Sequence, residues 1–186
     1  MSRVELSQIS GAMALKAGRN YDERGFFEKI FDKSIFTSYK LNAQIESIAI
    51  SSNTNIGTLR GLHFQSPPFA EDKIVSCIAG SIFDVVVDLR FDSPTFCKWA
   101  AVTLESDDEQ VLSLPAGVAH GFQTLEDNSS VLYGITSTYN PASSHSIRYS
   151  DPELNISWPI PVGIVSKKDA EGLSLADAVN LSMDQK

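Results

Sequence analysis

The chain has three histidines, His63, His120 and His145, and the first two stand in β-prone stretches flanked by glycine. In Gly57-Thr58-Leu59-Arg60-Gly61-Leu62-His63-Phe64-Gln65 a permanent cation and an imidazole fall within four residues, and Gly61 between them lets a backbone or a ligand come close. That pair suits chemistry on an anionic substrate. Pro115-Ala116-Gly117-Val118-Ala119-His120-Gly121-Phe122 is a glycine-rich turn that delivers a second imidazole onto a strand. A strand histidine is more often a hydrogen-bonded structural group than a catalyst, so on residue type alone both readings stand.

The elements that must carry these groups are short strands separated by Gly and Pro. Residues 1–20 read as an arm or short edge strands, and Arg24-Gly25 is a turn signal followed by Phe26, Phe27 and, after Glu28, Phe31, which could seed a core. A strand is expected from about Ala43 to Thr54 and another over 58–65, stopped by Pro67-Pro68. Lys73–Ala79 and Ser81–Arg90 read as a hairpin around Gly80. In its second strand Phe83, Val85, Val87 and Leu89 share a core face, while Asp84 and Asp88 share a polar one with Ile82 and Val86.

Further strands are expected at Trp99–Leu104, Gln110–Leu114, through His120 to Leu125, and Ser130–Tyr139. In the last of these a period of two puts Tyr133 and Tyr139 on one face of one cavity. Asp151 to Pro159 reads as a loop. The period then changes: Ser166-Lys167-Lys168-Asp169 has capping-box form with a helix from about Lys167, and a second helix fits Leu175–Met183. Many short strands with little helix before residue 165 indicate a mostly β sandwich or jelly roll in one domain.

A formal charge of −8 and a pI near 4.8 argue against nucleic acid, whose binding needs a field of the opposite sign. A small anion needs only a local cluster of Arg and Lys. Cys77 and Cys97 do not make a disulfide framework, the N-terminal residues lack an apolar signal core, and no apolar run reaches a membrane span. A soluble cytoplasmic protein is expected.

A metal site is the rival reading. The P-x-G-x-x-H form of 115–120 is half of a metal-binding cupin pattern, but Gln65 stands where a second histidine would follow His63, and Lys73 would repel a cation. Asp169 has an equally plain alternative, since a carboxylate in the first turn of a helix caps it. On sequence alone capping is the stronger reading, and the tyrosines are ordinary strand residues.

Taken together, Arg60-Gly61-Leu62-His63-Phe64-Gln65, Lys73, Asp84-Val85-Val86-Val87-Asp88-Leu89-Arg90, Ser93-Pro94-Thr95-Phe96, the 115–122 turn, Asp151-Pro152 and Trp158-Pro159 closely resemble the dTDP-4-dehydrorhamnose 3,5-epimerase family, in order, from about Arg24 to Asp169. The resemblance implies a cupin jelly roll with short C-terminal helices, and a homodimer that exchanges N-terminal strands. It implies action without metal or organic cofactor on a nucleotide-linked 4-keto-6-deoxyhexose, in deoxysugar or polysaccharide biosynthesis.

Carried over, His63 is the base, Asp169 its orienting partner, Lys73 the group at the enolate oxygen with His120 nearby, held by Asp84, and Tyr133 the acid, with Tyr139 the alternative. Arg24 and Arg60 suit the diphosphate, and Phe26, Glu28, Tyr139 and Lys168 complete the binding set. Ile48 and Ile50 stand where the family usually has Gln and Asn, and Glu71 where Gln is common, which implies altered substrate contacts. Inversion at C3 alone, a different nucleotide sugar, or a non-catalytic sugar-nucleotide-binding module are the alternatives.

Overall fold

The computed structural model describes residues 2–5 and 8–183, with side chains from residue 8 onward. Thirteen strands and three helices form, in chain order, β1 (Ser2–Glu5), β2 (Met13–Lys16), β3 (Arg19–Asp22), β4 (Gly25–Glu28), α1 (Lys33–Ser38), β5 (Ser47–Asn53), β6 (Leu59–Gln65) and β7 (Lys73–Ala79). They continue as β8 (Ser81–Asp88), β9 (Trp99–Glu105), β10 (Gln110–Leu114), β11 (Val118–Thr124), β12 (Ser129–Ile135), β13 (Ser144–Ser146), α2 (Lys167–Ala170) and α3 (Leu175–Met183). A six-stranded sheet in the order β1-β2-β10-β7-β12-β5 faces a five-stranded sheet in the order β13-β6-β11-β8-β9, with antiparallel neighbours throughout. This is a jelly roll.

Three apolar layers follow from period-two alternation. Val75, Leu112 and Val131 of the larger sheet meet Val86, Ala100 and Phe122 of the smaller one between the two. The outer face of the smaller sheet, with Leu62, Phe64, Val85 and Val87, is covered by the C-terminal segment through Ile147, Leu154, Leu175 and Ala178. The outer face of the larger sheet, with Leu15, Ile74 and Val111, is covered by Phe36 of α1, and the Phe31 ring packs tilted against Phe36 at 4.9 Å.

Several expectations are corrected. β7 and β8 are not a hairpin: β7 pairs with β10 and β12, and β8 with β9 and β11. Gly80 alone separates them, which is too short to reverse a strand pair, so the chain turns a corner from one sheet to the other. β8 is buried on both faces, because the C-terminal segment covers the side away from the core. Phe26 and Phe27 seed no core; they are mostly exposed on the β3–β4 hairpin, and only Phe31 packs inward. α1 and β13 fall in stretches for which no element is expected. Asp32 starts α1 by accepting from the Ser34 N–H, and β13 is three polar residues recruited by the edge of β6.

Candidate active site

His63 and His120 are direct cross-strand partners in β6 and β11, so their side chains project from the same face, toward the space between the sheets. Arg60 lies three residues from His63 and in a regular strand would point the other way. It does not, because three steps of β6, from His63 to Arg60, run against two of β11, from His120 to Phe122. This bulge carries the extra residue that brings Arg60 onto the histidine face.

His63 Nε2 lies 2.7 Å from Asp169 Oδ1, and the Ser146 hydroxyl donates to the same oxygen at 2.9 Å. Although burial raises the Asp169 carboxyl, the hydrogen bond and charge of His63, with Ser146 and Ser166, bring it down to about 2. It is therefore an anion that only accepts, which puts the proton on Nε2 and leaves His63 Nδ1 as the basic nitrogen. The capping reading is half right. Ser166 Oγ does cap α2 by accepting from the Asp169 N–H, while the Asp169 carboxylate is turned onto His63.

On the same inner face, His120 Nε2 lies 2.7 Å from Asp84 Oδ2, both side chains almost wholly buried. Burial pushes the Asp84 carboxyl up, against the pull of His120 and Lys73, and its Oδ1 is left without a hydrogen-bond partner among the described residues. Tyr133 comes from the facing sheet and stands edge-on to the His120 ring at 5.9 Å. Burial, with Asp84 adding to it, raises its hydroxyl pKa, opposed by Arg60, so it stays protonated at neutral pH. Lys73 opens β7 and donates from Nζ to the His63 carbonyl at 3.0 Å, with Glu71 Oε1 at 3.2 Å. Arg60 is exposed and steadied by Asn53, whose Oδ1 accepts from Nε at 2.7 Å.

The structure thus brings together His63, Asp169, His120, Asp84, Lys73, Tyr133 and Arg60. It does not bring Arg24, Phe26 or Glu28 to them. Those sit on the β3–β4 hairpin, which Arg19 fastens to the β9–β10 turn through Glu28, Asp107 and the Ser106 carbonyl. Arg24 is exposed and paired with Asp22.

The strand expected through Tyr139 is corrected too. β12 ends at Ile135, and Tyr139 stands 66% exposed in a loop that Gln65 holds through the Thr138 carbonyl and the Asn140 N–H. Lys168 is exposed beside Ser144. Ile48 and Ile50 face away from the site: they lie opposite Gly134 and Leu132, on the outer face, where Ile48 lines a groove of about 630 Å³ with Phe31, Ile45 and Ile74. They cannot alter contacts in this chain's own cavity.

Sequence reasoning passed over Asn53, Gln65 and Ser146. Each is a polar residue at the end of a strand, and its role depends on a partner 7, 6 or 23 residues away. Among the described residues no group of three His, Cys, Asp or Glu is placed to hold a metal, and no helix is long and apolar enough to cross a membrane.

The comparisons agree with this fold. The family model described as dTDP-4-dehydrorhamnose 3,5-epimerase matches residues 6–177. The dTDP-4-dehydrorhamnose 3,5-epimerase of Shigella flexneri is 39% identical over 158 residues, 84% of this chain and 87% of that protein. The Bacillus anthracis epimerase crystallised with TDP and PPi superposes with a TM-score of 0.89 at 34% identity, covering 93% of this chain and 98% of that one. The Legionella pneumophila enzyme in complex with dTDP-4-keto-L-rhamnose gives 0.88 at 35% identity, over 94% and 93%. A jelly roll with two histidine–carboxylate pairs, a buried lysine and a tyrosine on its inner faces, matched along nearly its whole length, belongs to the dTDP-4-dehydrorhamnose 3,5-epimerase family of isomerases.

Proposed function

We propose that this chain is a cytoplasmic epimerase that inverts C3, C5 or both of a dTDP-linked 4-keto-6-deoxyhexose, the class of ligand held by the Legionella relative. The observation that carries the reading is that His63 and Tyr133 project into one space from facing sheets. Inversion needs a base on one face of the sugar and an acid on the other. The C4 ketone acidifies the C3 and C5 protons, and His63 Nδ1 takes one of them as the enolate forms. The imidazolium is stabilised by Asp169. Lys73, with the His120–Asp84 pair beside it, offsets the charge developing on the C4 oxygen. Tyr133 returns a proton from the opposite face, and its hydroxyl and His63 exchange protons with water before the next turnover. Arg60 suits the diphosphate, for which a planar guanidinium is better shaped than an ammonium.

Solvent deuterium entering C3 and C5 of dTDP-4-keto-6-deoxyglucose tests the reading; no exchange with any nucleotide offered overturns it, and label at C3 alone defines a 3-epimerase. Tyr133→Phe is expected to lower turnover by about 10²–10⁴ with binding kept. Tyr139→Phe is expected to weaken binding and spare turnover, and the reverse pattern makes Tyr139 the acid.

The working form is a homodimer, in which the N-terminal segment of each copy reaches the other's site. Two facts support this: Arg24, Phe26 and Glu28 lie on a hairpin away from this chain's own His63, and that hairpin and the edge strand β5 expose Tyr21, Phe27, Ile48 and Ile50. If so, Arg24→Ala and His63→Ala chains, each inactive alone, regain roughly a quarter of native activity when refolded together, since half the dimers are mixed and each holds one intact site. No recovery on mixing returns the site to a single chain.

A further inference from the structure

The carboxylate of Glu71 has no part in the reaction described so far. Glu71, in the connection between β6 and β7, has only 12% of its side chain exposed, and both oxygens are engaged. Oε1 lies 3.2 Å from Lys73 Nζ, and Oε2 accepts from Gln65 Nε2 at 2.8 Å. Gln65 is buried and immobilised in turn: its amide also donates to the Phe69 and Thr138 carbonyls, and its Oε1 accepts from the Asn140 N–H at 2.7 Å. The carboxylate is thus clamped on one side by a fixed amide and presented on the other to an ammonium.

Lys73 needs such a neighbour. Its side chain is 9% exposed, and an ammonium stripped of water tends toward the neutral amine. The groups around it are Glu71, Asp84 of β8 with its partner His120 of β11, the His63 carbonyl of β6, and Tyr133 of β12, two residues from Lys73's cross-strand partner Ile135, with Arg60 of β6 beyond it. Asp72, adjacent in sequence, turns its carboxylate to Asn42, Thr136 and the Ala116 N–H instead. Burial draws the Lys73 pKa below the ordinary lysine range, and the Glu71 charge and hydrogen bond, then Asp84, act against that fall.

We infer that Glu71 is a positioning residue that keeps Lys73 protonated and aimed at the oxygen of the reacting carbonyl. This rests on the assignment of Lys73 to the enolate oxygen. A neutral amine could still donate a hydrogen bond there but would bring no charge, and an untethered ammonium would have to be re-aimed at each turnover.

Glu71→Gln tests it, because glutamine keeps the volume but offers no charge and one acceptor for two donors. In protein labelled with 13C at lysine Cε, the Lys73 signal, identified by its loss in Lys73→Met, is expected to titrate about one pH unit or more lower in Glu71→Gln than in the native chain, and the basic limb of the C3 and C5 exchange rate to move with it. An unmoved Lys73 titration in folded Glu71→Gln overturns the inference. A Lys73 signal that moves while the rate profile does not leaves Glu71's hold on the ammonium in place and overturns instead the assignment of Lys73 to the enolate. If Glu71→Gln does not fold, Glu71→Asp, which draws the charge back by one methylene, is expected to shift the titration the same way by about half a unit; no shift there overturns the inference equally.

Discussion

His63→Ala is expected to slow deuterium incorporation at the sugar carbons by about 10²–10⁴ while leaving the fold and nucleotide binding close to native. The size of the loss follows from what else in the cavity could take a proton. His120 is almost wholly buried, Tyr133 is held protonated by burial, and Lys73 donates from Nζ to the His63 carbonyl. None of them offers an exposed basic nitrogen as His63 does. The small structural cost follows from exposure: 43% of the His63 side chain is open, and Asp169 keeps the Ser146 hydroxyl and the Gly61 N–H when the imidazole goes. Single-turnover exchange measured beside the melting temperature separates the two effects. Exchange within tenfold of native in a folded His63→Ala chain would show that another group is the base.

What the sequence makes legible here is what depends on type and local period. Most strand positions from β5 to β12, the break at Gly80, the capping serine of α2 and the final helix are visible in runs of a few residues. The His63–Asp169 pair is 106 residues apart in the chain, and nothing local distinguishes Asp169 from an ordinary helix cap. Only the resemblance joined them. The hairpin expected at Gly80 fails because alternation shows which residues share a face but not which strand lies alongside. The strand expected through Tyr139 fails for a related reason. Period two does not continue past Ile135, because the backbone there leaves the sheet and is caught by Gln65. Ile48 and Ile50 show the same limit: only the pairing of β5 with β12 reveals that they look outward.

Gly61→Ala is expected to cost about 3–5 kcal/mol and to lower the melting temperature by roughly 10 °C or more, the largest stability effect of any single methyl group added near the site. Two terms combine. Gly61 sits at φ +123, where side chains are rarely tolerated, and a Cβ there would lie 2.5 Å from Gly121 Cα and 2.9 Å from the His120 carbonyl oxygen. Both obstacles are backbone, so neither can rotate away. Gly25 separates the terms, because it has nearly the same φ, +125, with nothing within 4 Å of its added Cβ. Gly25→Ala is therefore expected to show only the backbone term, about 1 kcal/mol. Equal losses at the two positions would mean that the close approach of β6 to β11 costs nothing and is not what demands glycine. The functional consequence is sharper than the stability one. The glycine permits the bulge, and the bulge turns Arg60 onto the face that carries His63. Whatever fraction of Gly61→Ala still folds must open that approach, so its nucleotide affinity is expected to fall more than that of Gly25→Ala. Calorimetric titration with dTDP checks this, since it reads nucleotide binding, to which we propose Arg60 contributes, without requiring the base.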